Sequence, residues 1–125
     1  MVLGGNGYHQ LGLGDHEARL VPTQVGQALD WARVFAGSNY TCAIRTGSTL
    51  WCWGTNHHHE LGLGDASGRS TPTQVGARAT WTTVGAGNIH ACALRDGGTL
   101  WCWGGNHNGE LGLGDTIDRS VPTRV

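Results

Sequence analysis

The chain has 125 residues, with 22 Gly and 6 Trp against 1 Phe and 2 Tyr. Its 8 basic residues are all Arg, and with 9 acidic residues the formal net charge is −1, so no basic field exists to hold a nucleic-acid backbone. No apolar run approaches the roughly 20 residues of a membrane span, and the stretch after Met1 has neither the basic nor the apolar segment of a signal peptide.

Residues 1–25 carry Leu-Gly-Leu-Gly-Asp at 11–15 and Pro-Thr-x-Val at 22–25. Both strings return at a spacing of 50, at 61–65 and 111–115 and at 72–75 and 122–125. Trp31 to Ala36 reads as a strand, then Tyr40 to Arg45, then Thr49 to Gly54. A long loop follows, and a short fourth strand is expected at Thr73 to Val75. The same order recurs as Trp81–Ala86, His90–Arg95, Thr99–Gly104 and Thr123–Val125. The second and third strands form a hairpin around Thr46-Gly47-Ser48, repeated at Asp96-Gly97-Gly98, with Gly at the left-handed position. Residues 26–75 and 76–125 share 28 identities in 50 positions, and residues 1–25 match 51–75 at 13 of 25. The predicted fold is therefore all-β, in units of four antiparallel strands: a half unit at 1–25 and full units at 26–75 and 76–125. Leu50 and Cys52 alternate with Trp51 and Trp53, so the hairpins are apolar on both faces. Such strands belong inside a stack of sheets, as in a β-propeller.

The unit Trp-x-x-Val-x-Ala-Gly, then Cys-Ala-Leu-Arg-x-Gly-Gly-Thr-Leu-Trp-x-Trp-Gly-x-Asn, then Gly-Glu-Leu-Gly-Leu-Gly-Asp and Pro-Thr-x-Val resembles the repeat of the regulator of chromosome condensation family. The resemblance covers essentially the whole chain. It implies a seven-bladed propeller of which two and a half blades are present here. Three features depart from it. The unit count is low, Met-Val-Leu-Gly stands at 1–4 in place of Trp-Cys-Trp-Gly, and His58-His59 replaces the Asn-Gly of 108–109. An open stack exposes apolar faces and strand edges, so further blades, a protein partner or a homo-oligomer are expected beside it.

In a hairpin centred on Gly47, facing residues have numbers that sum to 94, which pairs Cys42 with Cys52. Centring on Gly97 pairs Cys92 with Cys102. Both are within disulfide reach. The half unit lacks the second strand and has Val2 where the third-strand Cys would stand. Disulfides imply an extracellular or periplasmic location. The alternatives are free thiols copied by the repeat, or a zinc site, for which two further ligands are missing.

His57-His58-His59-Glu60 lies in the long loop, with His9 and His107 at related positions. Imidazoles there form a solvated polar loop or a rim able to hold Zn²⁺ or Ni²⁺. The sequence offers no residue to orient such imidazoles, and neither a metal nor a cofactor is expected. Asp15, Asp65 and Asp115, each followed four residues later by Arg19, Arg69 or Arg119, read as structural loop pairs. Glu60 and Glu110 read as structural too. The Trp residues read as blade packing; one plant branch of the family senses light with Trp clusters, which nothing beyond the Trp count supports here. No nucleophile motif, phosphate loop or His-Glu-x-x-His is present. The chain is expected to be a non-enzymatic protein-binding or scaffold module. The rim positions Asn39, Tyr40, His57, His58, His59, Asn88, His90 and Asn108 are its candidate contacts. A self-assembling repeat protein is the alternative, followed by an exchange-factor-like propeller or a secreted enzyme inhibitor.

Overall fold

The computed structural model describes residues 1–125 and contains ten strands and no helix. The half unit forms a two-stranded sheet from β1 (Val2–Gly4) and β2 (Arg19–Thr23). The next sheet runs in the order β3 (Trp31–Ala36), β4 (Tyr40–Arg45), β5 (Leu50–Gly54), β6 (Arg69–Gln74). The third repeats it with β7 (Trp81–Ala86), β8 (His90–Arg95), β9 (Thr99–Gly104) and β10 (Arg119–Arg124). All pairings are antiparallel. Each of the two full sheets is thus a four-stranded meander, the form of a propeller blade.

Two local expectations need correction. The fourth strand starts four residues earlier than predicted, because Arg69 pairs with Gly54 and Arg119 with Gly104. A bulge then separates that pair from the next, at Cys52 and Thr73. Pro72 is tolerated because β6 is the outermost strand, where a missing N–H costs no ladder bond. The turns also differ. In the first hairpin Ser48, not Gly47, takes the positive φ of 60°. In the second, Asp96 takes it at 51° together with Gly97 at 77° and Gly98 at 119°, in a three-residue loop between the paired Arg95 and Thr99, so glycine does hold the left-handed positions there as expected.

The β4–β5 and β8–β9 registers place Cys42 opposite Cys52 and Cys92 opposite Cys102. Both pairs are disulfides, with Cα atoms 4.1 Å apart. No cysteine is free.

The core lies between the two full blades. Tyr40, Cys42, Ile44, Leu50 and Val75 of one meet Trp81, Val84 and Ala91 of the next, with β7 lying against β3 and β4. Equivalent residues show what a neighbouring blade does. Leu50 is 0% exposed and Val75 1%, whereas Leu100 is 40% and Val125 49%. On the opposite face Val84 is 4% exposed and Val34 66%. The residue type at these positions is the same, so the difference comes from what packs around it. At this end the half unit leaves an apolar groove of about 340 Å³ lined by Met1, Val25, Leu29, Trp31 and Val34, among others.

Burial also separates the two disulfides: Cys42 and Cys52 are both sealed, while Cys92 is half-buried. Under a mild reductant, alkylation followed by mass mapping is expected to label Cys92 and Cys102 before Cys42 and Cys52. Each bridge closes a loop of sequence separation 10. Replacing Cys42 and Cys52 together with Ala should therefore cost about 2–3 kcal/mol in denaturant unfolding.

Candidate functional site

One rim of the stack is built from three copies of the loop that joins third and fourth strands. At the centre of each sits an Asn that is almost wholly buried: Asn6, Asn56 and Asn106. The Asn56 amide donates to the Asp65 carbonyl at 2.9 Å and to its carboxylate at 3.1 Å, and its Oδ1 accepts the Leu61 N–H at 2.9 Å. Asn6 and Asn106 make the same bonds to Asp15 and Leu11 and to Asp115 and Leu111. One side chain thus ties both arms of the loop and buries the following Leu.

The Asp then closes the outer side. Arg19, Arg69 and Arg119 donate to Asp15, Asp65 and Asp115 at 2.6, 2.7 and 2.7 Å. These guanidinium bonds, followed by backbone N–H bonds, hold all three carboxyls below the usual carboxylate range. They stay ionised and committed to the loop.

His59 takes the left-handed conformation at φ 64°, as does His9 at 62°, where the third copy has Gly109. A non-glycine residue there is strained. Each ring nitrogen bonds a loop carbonyl in compensation, His59 to Asp65 at 3.0 Å and His9 to Asp15 at 2.9 Å. The His59 side chain is therefore part of the loop frame, not a free rim contact. His57 is exposed, and His58 is half-buried beside His107, with ring centroids 5.7 Å apart.

The first two loops also receive the next blade. The Trp53 indole N–H donates to the Gln10 carbonyl at 2.9 Å, and Trp103 does the same to Glu60 at 2.8 Å. The rings lie so close that a Cβ on Gly12 would stand 2.7 Å from the Trp53 indole, and one on Gly62 2.9 Å from Trp103. Glycine is required at both by contact as well as by φ.

Of the remaining candidates, Asn88 and Asn108 are exposed and Asn39 is half-buried. Tyr40 is not on the rim. It is fully buried between the blades, donates to the His90 carbonyl at 2.5 Å, and its phenol is pushed up by burial. His90 holds the equivalent position on the open face and is half-buried.

The family model for the regulator of chromosome condensation (RCC1) repeat matches residues 2–44, 48–94 and 97–125, and a second model of the same repeat matches 31–60 and 81–110. The chain belongs to the RCC1 repeat family. Among solved structures, Prp20p from Saccharomyces cerevisiae, described with its binding to Gsp1p and histones, superposes with a TM-score of 0.87 at 23% identity. That match covers 98% of this chain and 33% of the other. Yeast Prp20 bound to Kap60 gives 0.88 at 23%, covering 98% and 32%, and human WBSCR16 gives 0.83 at 20%, covering 98% and 33%. The chain thus spans about a third of each of these structures, and the likeness is one of fold. No curated protein sequence matches it.

Two kinds of rim residue were not singled out from the RCC1 repeat pattern. The buried Asn was legible as an exact repeat at 6, 56 and 106, but its period alone did not show that it faces inward. Asp118 had no signal of that kind, because positions 18 and 68 hold Ala and Gly.

Asn56→Ala leaves the buried Leu61 N–H without a partner and removes the amide bonds to the Asp65 carbonyl and carboxylate. Urea unfolding of this variant is expected to show a loss of about 3 kcal/mol. An exposed neighbour such as His57→Ala should change stability by less than about 0.5 kcal/mol.

Proposed function

We propose that this chain is a non-enzymatic protein-binding or scaffold module that works in an extracellular or periplasmic setting. The observation that carries the reading is where the units differ. The frame residues of the loop, Asn, Leu, Gly, Asp and Arg, recur in all three copies. Neighbouring rim positions diverge: Tyr8, His58 and Asn108 share one place, Gly7, His57 and His107 another, and Ala18, Gly68 and Asp118 a third. Most of these are exposed. Varied side chains on a fixed frame are the arrangement of a recognition surface. The contacts proposed are His57, His58 and Asn108, with Asn39, Asn88 and His90 at the adjoining turns.

The carboxylates held below their usual range are all taken up within the loops, Asp15, Asp65 and Asp115 by Arg partners and Glu110 by backbone N–H bonds, which supports a binding role over a catalytic one. The two disulfides support an oxidising compartment. That setting argues against the nucleotide-exchange and chromatin roles of the family. The solved relatives' described partners, Gsp1p, histones and Kap60, are proteins, and a protein partner is proposed here.

A second reading, association with further blades or with copies of itself, is favoured by the apolar end faces at Leu29 and Val34 and at Leu100 and Val125. Sedimentation with chemical cross-linking separates the two. The binding reading expects a partner cross-linked through 57–59 and 105–109. A monodisperse oligomer from this chain alone, cross-linked through the end faces, would replace it with assembly.

A further inference from the structure

We propose that His58, His107 and Asp118 form a binding site for a divalent first-row transition metal, with Zn²⁺ as the fitting ion, placed across the junction of the two full blades. A ligand atom from each of the three lies within 4.8 Å of the other two. The His107 Nε2 and Asp118 Oδ2 atoms are 3.5 Å apart. Two ligands of a tetrahedral zinc, each about 2.0–2.1 Å from the ion, stand about 3.3–3.4 Å from one another. That pair already has the spacing of a chelate. His58 reaches it by an inward side-chain movement of no more than about 1.5 Å, judged against the same spacing.

The surroundings orient the ligands. Asp118 Oδ1 accepts the Asn106 N–H at 2.8 Å, which turns Oδ2 toward His107. The backbone N–H of His58 donates to the carboxylate of the buried Glu60 at 2.9 Å, fixing the residue beside the junction. Neither imidazole takes part in the bonds that close the loops, unlike His9 and His59. Two imidazoles and one carboxylate are borderline nitrogen and hard oxygen donors, the set that zinc accepts while keeping a fourth position for water.

The cluster also breaks the repeat. At the preceding junction the equivalent residues are Tyr8, His57 and Gly68. A side chain at 68 does not fit as that loop stands, since its Cβ would lie 2.9 Å from the Gly54 carbonyl oxygen. Blade packing alone does not ask for Asp118, and repeated structure does not produce it.

The ion would bridge one loop of each blade and so stabilise their junction. The test is calorimetric titration of the full, chelator-treated chain with Zn²⁺ alone, together with its melting temperature. One saturable site is expected. Affinity should fall more than about tenfold in His58→Ala and in Asp118→Asn, whose Oδ1 can still accept the Asn106 N–H. It should be unchanged in His16→Ala, which removes an exposed imidazole on the neighbouring loop. Zn²⁺ at a hundredfold excess over its dissociation constant should raise the melting temperature by about 10 °C in the parent and not in Asp118→Asn. Binding of equal strength in His58→Ala or Asp118→Asn, or no saturable binding below millimolar Zn²⁺, would overturn the proposal.

Discussion

The stack depends on one interaction repeated between successive units: the indole N–H of a third-strand Trp donates to a carbonyl in the loop of the unit before it. Trp53 bonds Gln10 and Trp103 bonds Glu60. The net worth of such a bond is only about 1 kcal/mol, but leaving a buried partner unpaired costs about 1–3 kcal/mol. Its geometric demands are larger than its strength. The carbonyl must be presented at a fixed height, so the loop needs a rigid centre, which Asn6 and Asn56 supply. The ring must lie flat on the chain, so Gly12 and Gly62 can carry no side chain. The ends of the loop must not drift, and the Asp–Arg pairs hold them. The apolar core then forms between sheets whose spacing these contacts have already set.

A second clasp works at the far end of each blade. Arg45 lies between Trp31 and Trp51, and Arg95 between Trp81 and Trp101, with guanidinium-to-ring distances of 3.6–5.1 Å. Burial lowers the proton affinity of Arg95, against the pull of Asp96. The aromatic faces stand in for part of the water that this cation loses. Trp is thus abundant here because one ring type serves three tasks: filling the core, donating one directed bond and covering a cation.

Much of this was legible in the sequence because repetition converts weak signals into strong ones. A single Gly-rich stretch says little, but the same stretch at three phases of 50 fixes unit, strand order and loop. The cysteine pairing followed from hairpin symmetry, and Cys42 does face Cys52. What did not follow was anything decided by the neighbouring blade. Tyr40 looked like a rim residue because polarity, not position, was visible; the next blade buries it. The fourth strand runs longer than its apolar pattern suggests because pairing there is anchored by Arg69, whose Asp65 contact is formed in the loop. Asp118 was silent because it belongs to no repeat. Period reveals what the units share and is silent where they differ.

That division organises the molecule. Shared residues set the geometry, while one group of unshared ones stands exposed on the rim of the long loops. Changes at the rim leave the frame intact, and changes in the frame disturb every blade that follows. The most direct measurement of the central claim is denaturant unfolding of Trp103→Phe beside Trp101→Phe. Trp103 donates across the blade junction, whereas Trp101 donates to Thr99 within its own strand. The account predicts a loss of about 1–3 kcal/mol for Trp103→Phe, a smaller loss for Trp101→Phe and faster amide exchange at Leu61 and Gly62 only in the former. Equal stability of Trp103→Phe and the parent chain, with exchange in that loop unchanged, would contradict it.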